Sequence, residues 1–179
     1  MAVRKIIRMG HPNLRQVARP VTQSEVDHPE FARLLEDMVD TLHDYGGIGL
    51  AAPQIDVPLR VAIIEIDGGP SRYGELESVP LTAFINPKIE VLDERAGGHW
   101  EGCLSVPGMR GFVERPQHIR VTYARHDAPI DQIEQREFKG FLATVFQHEF
   151  DHLDGKLYID RISDTTRLAF EEEYARYHL

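Results

Sequence analysis

The sequence predicts an α+β fold rather than a doubly wound sheet. Helical periodicity falls near the two ends and in the later middle of the chain, and strand-like runs are grouped between those segments. The 179 residues carry no repeat, no low-complexity tract and no linker. One domain spanning 1–179, with room for a real core, is therefore expected.

The first helix is read in VDHPEFARLLEDMVDTLHDYGG (26–47). Phe31, Leu34, Leu35, Met38, Val39 and Leu42 recur there at helical spacing, with Asp27 as cap and Gly46 as stop. After the glycines, LRVAIIEI (59–66) reads as a buried strand. LTAFINPKIEVLDE (81–94), HIRVTYARHD (118–127) and QREFKG (135–140) add strand signals separated by turn residues. A second helix is expected in FKGFLATVFQHEFDHLDG (138–155): Phe138, Phe141, Leu142, Val145, Phe146, Phe150 and Leu153 share its apolar face, and Gly155 ends it. A third is expected from about Asp164 to the C-terminus, with Leu168, Phe170, Tyr174 and Tyr177 inward.

Composition excludes several function classes. The content is 42% hydrophobic and 27% charged, as expected of a soluble globular protein. A net charge of −9 argues against a phosphate-backbone partner, which needs a basic face, so no direct nucleic-acid contact is expected. No apolar run reaches membrane-spanning length. The start MAVRKIIRMGHPNLRQ has no sustained apolar stretch and no small-residue cleavage pattern. A cytoplasmic protein is expected, although a trimmed organellar precursor would read the same. Cys103 is the single cysteine, so it forms no internal disulfide and is buried, reactive or a ligand.

The chemistry begins at HEFDH (148–152). On a helix, His148 and His152 leave the same face four residues apart and can close on one ion. Glu149 is rotated by about 100° from His148, so it sits beside the ion, where a carboxylate can take a proton from water. Two histidines leave a catalytic site one protein ligand short. The extended protease pattern H-E-x-x-H-x-x-G-x-x-H is followed through Gly155 and fails at Tyr158, where a histidine is required. A metalloprotease with a downstream glutamate survives on spacing, with Glu172 as third ligand, although Glu171, Glu172 and Glu173 read more simply as a solvated helix face. The third candidate is Cys103 in WEGCLSVPG (100–108), because a thiolate is a strong ligand for borderline or soft divalent metals. A lone cysteine is more commonly a small buried apolar group. Forty-five positions separate it from His148, so spacing leaves these alternatives open.

GIGLAAPQ (47–54) formally matches a dinucleotide-binding fingerprint, but its glycines follow a helix and precede a strand, and Pro53 would stop any helix they opened. Either it is a simple turn, or Gly47 and Gly49 let another backbone approach closely. Gln54 adds a neutral amide donor of the kind that stabilises an oxyanion.

GIGLAAPQ, EGCLS and HEFDH, in this order and at these separations, resemble the three signature motifs of the peptide deformylases, and the resemblance runs from about Val3 to the C-terminal helix. It implies antiparallel sheets packed around the metal-binding helix. It implies hydrolytic removal of the formyl group from N-terminal formylmethionine, with release of formate, and Cys103 as third ligand beside His148 and His152. The implied ion is Fe²⁺, with Zn²⁺, Ni²⁺ or Co²⁺ accommodated. By the same resemblance Glu149 is base toward water and then acid toward the leaving amine, and Gln54 and the Leu104 N–H bind the oxyanion.

Substrate contacts follow in part from position. Phe141, Thr144 and Val145 precede His148 by one to two turns and should wall an apolar pocket for methionine. By the resemblance, His99 takes a place that is more often apolar in the family. The peptide backbone should pair with the 47–49 loop through Ile48 and Gly49, beside Gly102, with Arg110 at the substrate mouth. Arg115 is the expected partner of Glu101. Formylmethionyl nascent chains are the expected partners of a monomer. Some bacterial relatives use a basic C-terminal helix on the ribosome, and RLAFEEEYARYHL (167–179) is acidic at its centre, so weak ribosome contact is expected.

Overall fold

The computed structural model describes residues 2–71 and 74–179. In chain order these form α1 (Gln23–Val26), α2 (Pro29–Tyr45), β1 (Gly49–Ala51), β2 (Val61–Ile66), β3 (Gly69–Ser71), β4 (Gly74–Leu76), β5 (Val79–Cys103), β6 (Val106–Ala124), β7 (Ile133–Lys139), α3 (Gly140–Leu153), β8 (Leu168–Phe170) and α4 (Glu171–Tyr177). The main sheet runs β1-β2-β5-β6-β7, with β8 added on β6, and every pair in it is antiparallel. Strands and helices are segregated along the chain, which is the α+β arrangement expected from the sequence. No helix among the described residues is long and apolar enough to cross a membrane.

The apolar run of β2 has a simple origin: both its faces are covered. Val61 and Ile63 pack with Phe31, Leu35, Met38 and Leu42 of α2, whereas Ala62, Ile64 and Ile66 pack with Phe146, Phe150 and Leu153 of α3. A half-exposed strand would have alternated with polar residues. Phe84, Phe138, Phe146 and Phe150 form the aromatic centre under α3, with Phe138 stacked on Phe146 at 3.8 Å between ring centroids. Truncating a buried phenylalanine such as Phe146 costs about 3–5 kcal/mol. The helix that carries both histidines is thus fixed by the core itself.

Three sequence expectations need correction. The cap of α2 is His28, not Asp27: its Nδ1 accepts from the Glu30 N–H at 3.3 Å, while Asp27 ends the preceding turn of helix. Gly46 does end α2, with φ 67°. Phe138 belongs to β7, because Gly140 turns the chain into α3 at φ 57°, a conformation a side chain resists. The segment after Asp164 is not one helix. It makes a 3₁₀ turn at Thr165–Arg167, then pairs with β6 as β8, whose Phe170 is exposed, and only then forms α4, where Tyr174 is buried while Tyr177 is exposed.

Two features position the site. Cys103 pairs with Val106, so Leu104 and Ser105 form the two-residue tip of the long β5/β6 hairpin. The N-terminal strip lies against the site under restraint. The Arg4 N–H donates to Thr41 Oγ1 at 2.8 Å, that of Ile7 to the Gln54 carbonyl at 2.9 Å, and that of Met9 to the Ser105 carbonyl at 2.7 Å.

Candidate active site

The α3 helix presents His148 and His152 from one face, both buried, with ring centroids 5.2 Å apart. Cys103 reaches them from the hairpin tip. One ligating atom from each of the three lies within 4.8 Å of the others, and Sγ is 3.3 Å from His152 Nε2. His148 Nδ1 is 2.7 Å from Glu101 Oε2, which fixes the ring and leaves its Nε2 for the centre.

Glu101 is itself held. The expected Arg115 partner is present, with Nε donating to Glu101 Oε1 at 2.6 Å and Nη2 to Oε2 at 3.1 Å. Nη1 of the same guanidinium donates to Asp151 Oδ2 at 2.8 Å, and Arg161 closes on the other Asp151 oxygen at 2.6 Å. Arg115, Glu101 and Asp151 are all buried. This chain of ion pairs ties the hairpin to the helix that carries both histidines.

Burial would push the Cys103 thiol up, but the charges of His152 and His148 overcome it and hold the thiol well below its ordinary value. Burial would likewise lower His148, but Cys103 and Glu101 raise it well above the usual imidazole range. Burial raises Glu149, against the opposing pull of the histidines. Its Oε2 is buried without a hydrogen-bond partner among the described residues, as is His152 Nδ1. A Cβ added at Gly49 would fall 2.5 Å from the Glu149 carboxyl carbon, so glycine there makes the close approach possible.

Gln54 is oriented by its own backbone neighbourhood. Its side-chain Oε1 accepts from the Ala51 N–H at 2.8 Å, which turns Nε2 to 3.6 Å from Cys103 Sγ and 3.3 Å from Ser105 Oγ. A cavity of about 510 Å³ opens above these groups. Gln54, Cys103, Leu104, His148 and Glu149 line its floor, and Ile48, Gly49, Gly102, Arg110, Phe141, Thr144 and Val145 its walls and mouth. His152 lies beneath, fully buried. Thr144 Oγ1 accepts from Gln117 Nε2 at 3.3 Å and lies 3.1 Å from His99 Nδ1, so its hydroxyl is already engaged.

Other placements differ from the sequence reading. Glu172 is exposed on α4 and outside the cluster, so the protease reading loses its third ligand. Glu171 is not merely a solvated residue: it lines the cavity and receives Arg110 Nη2 at 2.6 Å. Lys5, Arg8, Trp100 and Met109 also line the cavity and were not singled out from the sequence. Tyr158, met first as a missing histidine, is buried with its ring 6.0 Å from that of His148. The Glu101–His148 link was also missed; an acid two residues before a candidate ligand cysteine was its only trace.

The residues present fit a divalent ion. One thiol of lowered pKa and two imidazoles supply three donors whose atoms lie within 4.8 Å of one another, and a buried carboxylate oxygen with no partner among the described residues stands beside them. The family model for polypeptide deformylase matches residues 3–168. The chain belongs to the peptide deformylase family. A peptide deformylase of Leptospira biflexa is 42% identical over 97% of this chain and 95% of its own length. Peptide deformylase 2 of Ralstonia nicotianae is 47% identical over 95% and 93%. The Thermotoga maritima peptide deformylase structure superposes with a TM-score of 0.76 at 36% identity, covering 92% of this chain and all of that one. A Met-Ala-Ser-bound deformylase from Acinetobacter baumannii gives 0.80 at 31% identity, covering 90% of this chain and 99% of that one. The chain is accordingly a hydrolase that removes the formyl group from N-terminal formylmethionine of newly synthesised polypeptides and releases formate.

Proposed function

We propose that deformylation by this chain is carried by Cys103, His148 and His152 holding one divalent ion, Fe²⁺, in a site that Zn²⁺, Ni²⁺ or Co²⁺ also fits. The observation that carries this reading is the trio of potential ligating atoms within 4.8 Å at and just beneath the cavity floor, beside a Glu149 oxygen that has no hydrogen-bond partner among the described residues. When bound, such an ion lowers the pKa of water and polarises a carbonyl oxygen.

The protein's own groups do the rest. Glu149, buried and with a raised proton affinity, takes a proton from the attacking water and delivers it to the leaving amine. The Gln54 amide and the Leu104 N–H donate to the oxygen that gains charge. Glu101 holds the His148 ring so that its Nε2 stays turned inward. Phe141, Thr144 and Val145 receive the methionine side chain, and the engaged Thr144 hydroxyl keeps that wall from demanding a polar partner. The peptide pairs in extended form with the edge at Ile48 and Gly49, where β1 ends the sheet, and passes Gly102 and Arg110. The Acinetobacter relative is solved with Met-Ala-Ser bound, which supports a short peptide beginning with methionine as the kind of ligand.

We further propose that residues 1–179 work as one catalytic unit, as a cytoplasmic monomer that meets nascent chains with weak ribosome contact. Glu171, Glu172 and Glu173 would face ribosomal phosphates with like charge. Stable co-sedimentation with ribosomes at physiological salt, lost on truncation after Ile162, would refute weak contact.

The central test is release of formate from formyl-Met-Ala-Ser, with an unblocked peptide as control. Metal content of the purified protein identifies the ion. Cys103→Ser should lose metal and activity together, whereas Glu172→Ala should keep both. The reverse pattern would move the third ligand to α4.

A further inference from the structure

The mouth of the cavity has the opposite charge balance from the chain that forms it. The sequence carries a net charge of −9. Yet Lys5, Arg8 and Arg110 line the mouth with one carboxylate, Glu171, among them. The other acids of the cavity, Glu101 and Glu149, are buried at its floor. Arg110 is already answered, since its Nε and Nη2 both donate to Glu171 Oε1, at 3.0 and 2.6 Å. Lys5 and Arg8 are exposed and have no carboxylate in ion-pair reach among the described residues.

These two cations are not on a loose tail. Ile6 between them is buried, and the Ile7 and Met9 N–H groups bond to the Gln54 and Ser105 carbonyls at 2.9 and 2.7 Å. The strip is therefore registered against the residues flanking the reaction centre, and its charges line the same cavity that would receive the peptide.

We propose that Lys5 and Arg8 form an electrostatic subsite for an acidic side chain among the residues that follow formylmethionine, so that the enzyme prefers nascent chains with acidic early sequences. This rests on the deformylase reading of the site. Exposed charges at a cavity mouth act mainly on encounter and weak binding, and salt screens them. The preference should therefore be modest, appear in KM, and fade with ionic strength.

The test uses metal-loaded enzyme and formyl-Met-Ala-Ser-Ala with Asp or Lys placed in turn at the second, third and fourth positions. At the best position kcat/KM should favour Asp over Lys by about 3–10-fold at low salt, falling below about twofold at roughly 0.5 M salt. In Lys5→Glu, Arg8→Glu and the double variant the ratio should shrink and then invert. The ratio is taken within each protein, so a general loss of activity in a variant does not alter the outcome. Equal values for Asp and Lys at all three positions, or a ratio unmoved by charge reversal, would overturn the subsite. No formate from any formylated peptide would instead overturn the deformylase reading beneath it.

Discussion

Behind the floor of the cavity, where Glu101 lines it, Arg115 is bound by Glu101 on one side and Asp151 on the other, and all three side chains are buried. At its mouth, Arg110 meets Glu171 at the same 2.6 Å closest distance, but half of the Glu171 side chain remains exposed. Both contacts are arginine–carboxylate pairs of good geometry, and their consequences differ because of what surrounds them. A buried guanidinium that loses a partner strands charges in a medium that cannot solvate them, whereas an exposed pair exchanges its bond for water at little cost. The floor is thus a rigid device for holding chemistry, and the mouth a soft surface that shapes preference.

That contrast can be broken or sharpened by substitution. The largest effect is expected at Glu149→Gln, which should keep its metal and lose about 10²–10⁴-fold in turnover, because the proton carrier is gone while the ligands stay. Metal analysis beside kcat checks it; loss of stoichiometric metal would instead place Glu149 among the ligands. Next, Arg115→Met should cost about 3–5 kcal/mol of stability in denaturant unfolding, since Glu101 and Asp151 are left buried and under-partnered. A cost below about 1 kcal/mol would erase the distinction between floor and mouth. Gln54→Ala should lower kcat by about 10²–10³-fold without loss of fold, as removal of one oxyanion donor does. An unchanged rate would give Gln54 a structural role alone. The smallest effect belongs to Glu171→Gln, where the same unfolding measurement should register no more than about 1 kcal/mol.

The same division governs what could be read from sequence. Both main helices, the buried strand β2 and the floor residues announce themselves through short-range patterns: i, i+4 histidines, an apolar run, glycines at the start of β1 and just before it. What approaches Gly47 and Gly49, however, is side chains of Leu42, Leu104 and Glu149 rather than another backbone. Asp27 was the conventional cap, yet the imidazole of His28 performs that role one residue later. Phe138 matched the helical period of α3 because a strand leading straight into a helix can feed the same core. Leu168–Phe170 looked helical because nothing local reveals that β6 offers an unpaired edge at Met109–Gly111. The mouth was the least legible part. Lys5, Arg8 and Glu171 come from opposite ends of the chain, and only the folded backbone brings them around one opening.

β8 has a dynamic consequence. Its whole attachment to β6 is a register of three residues, Leu168–Phe170 against Met109–Gly111, whereas the strand carrying Cys103 runs 25 residues and pairs with both β2 and β6. Amide protons of so short a strand can exchange through local fraying, on a free-energy scale far below that of global unfolding, while those of the central β5 and β6 pairs wait for the whole domain to open. Since Glu171 follows β8 directly, each fraying event would release its hold on Arg110 and briefly widen the cavity entrance. The reaction centre below would stay in register throughout, so traffic through the entrance and chemistry at the floor can proceed on separate clocks.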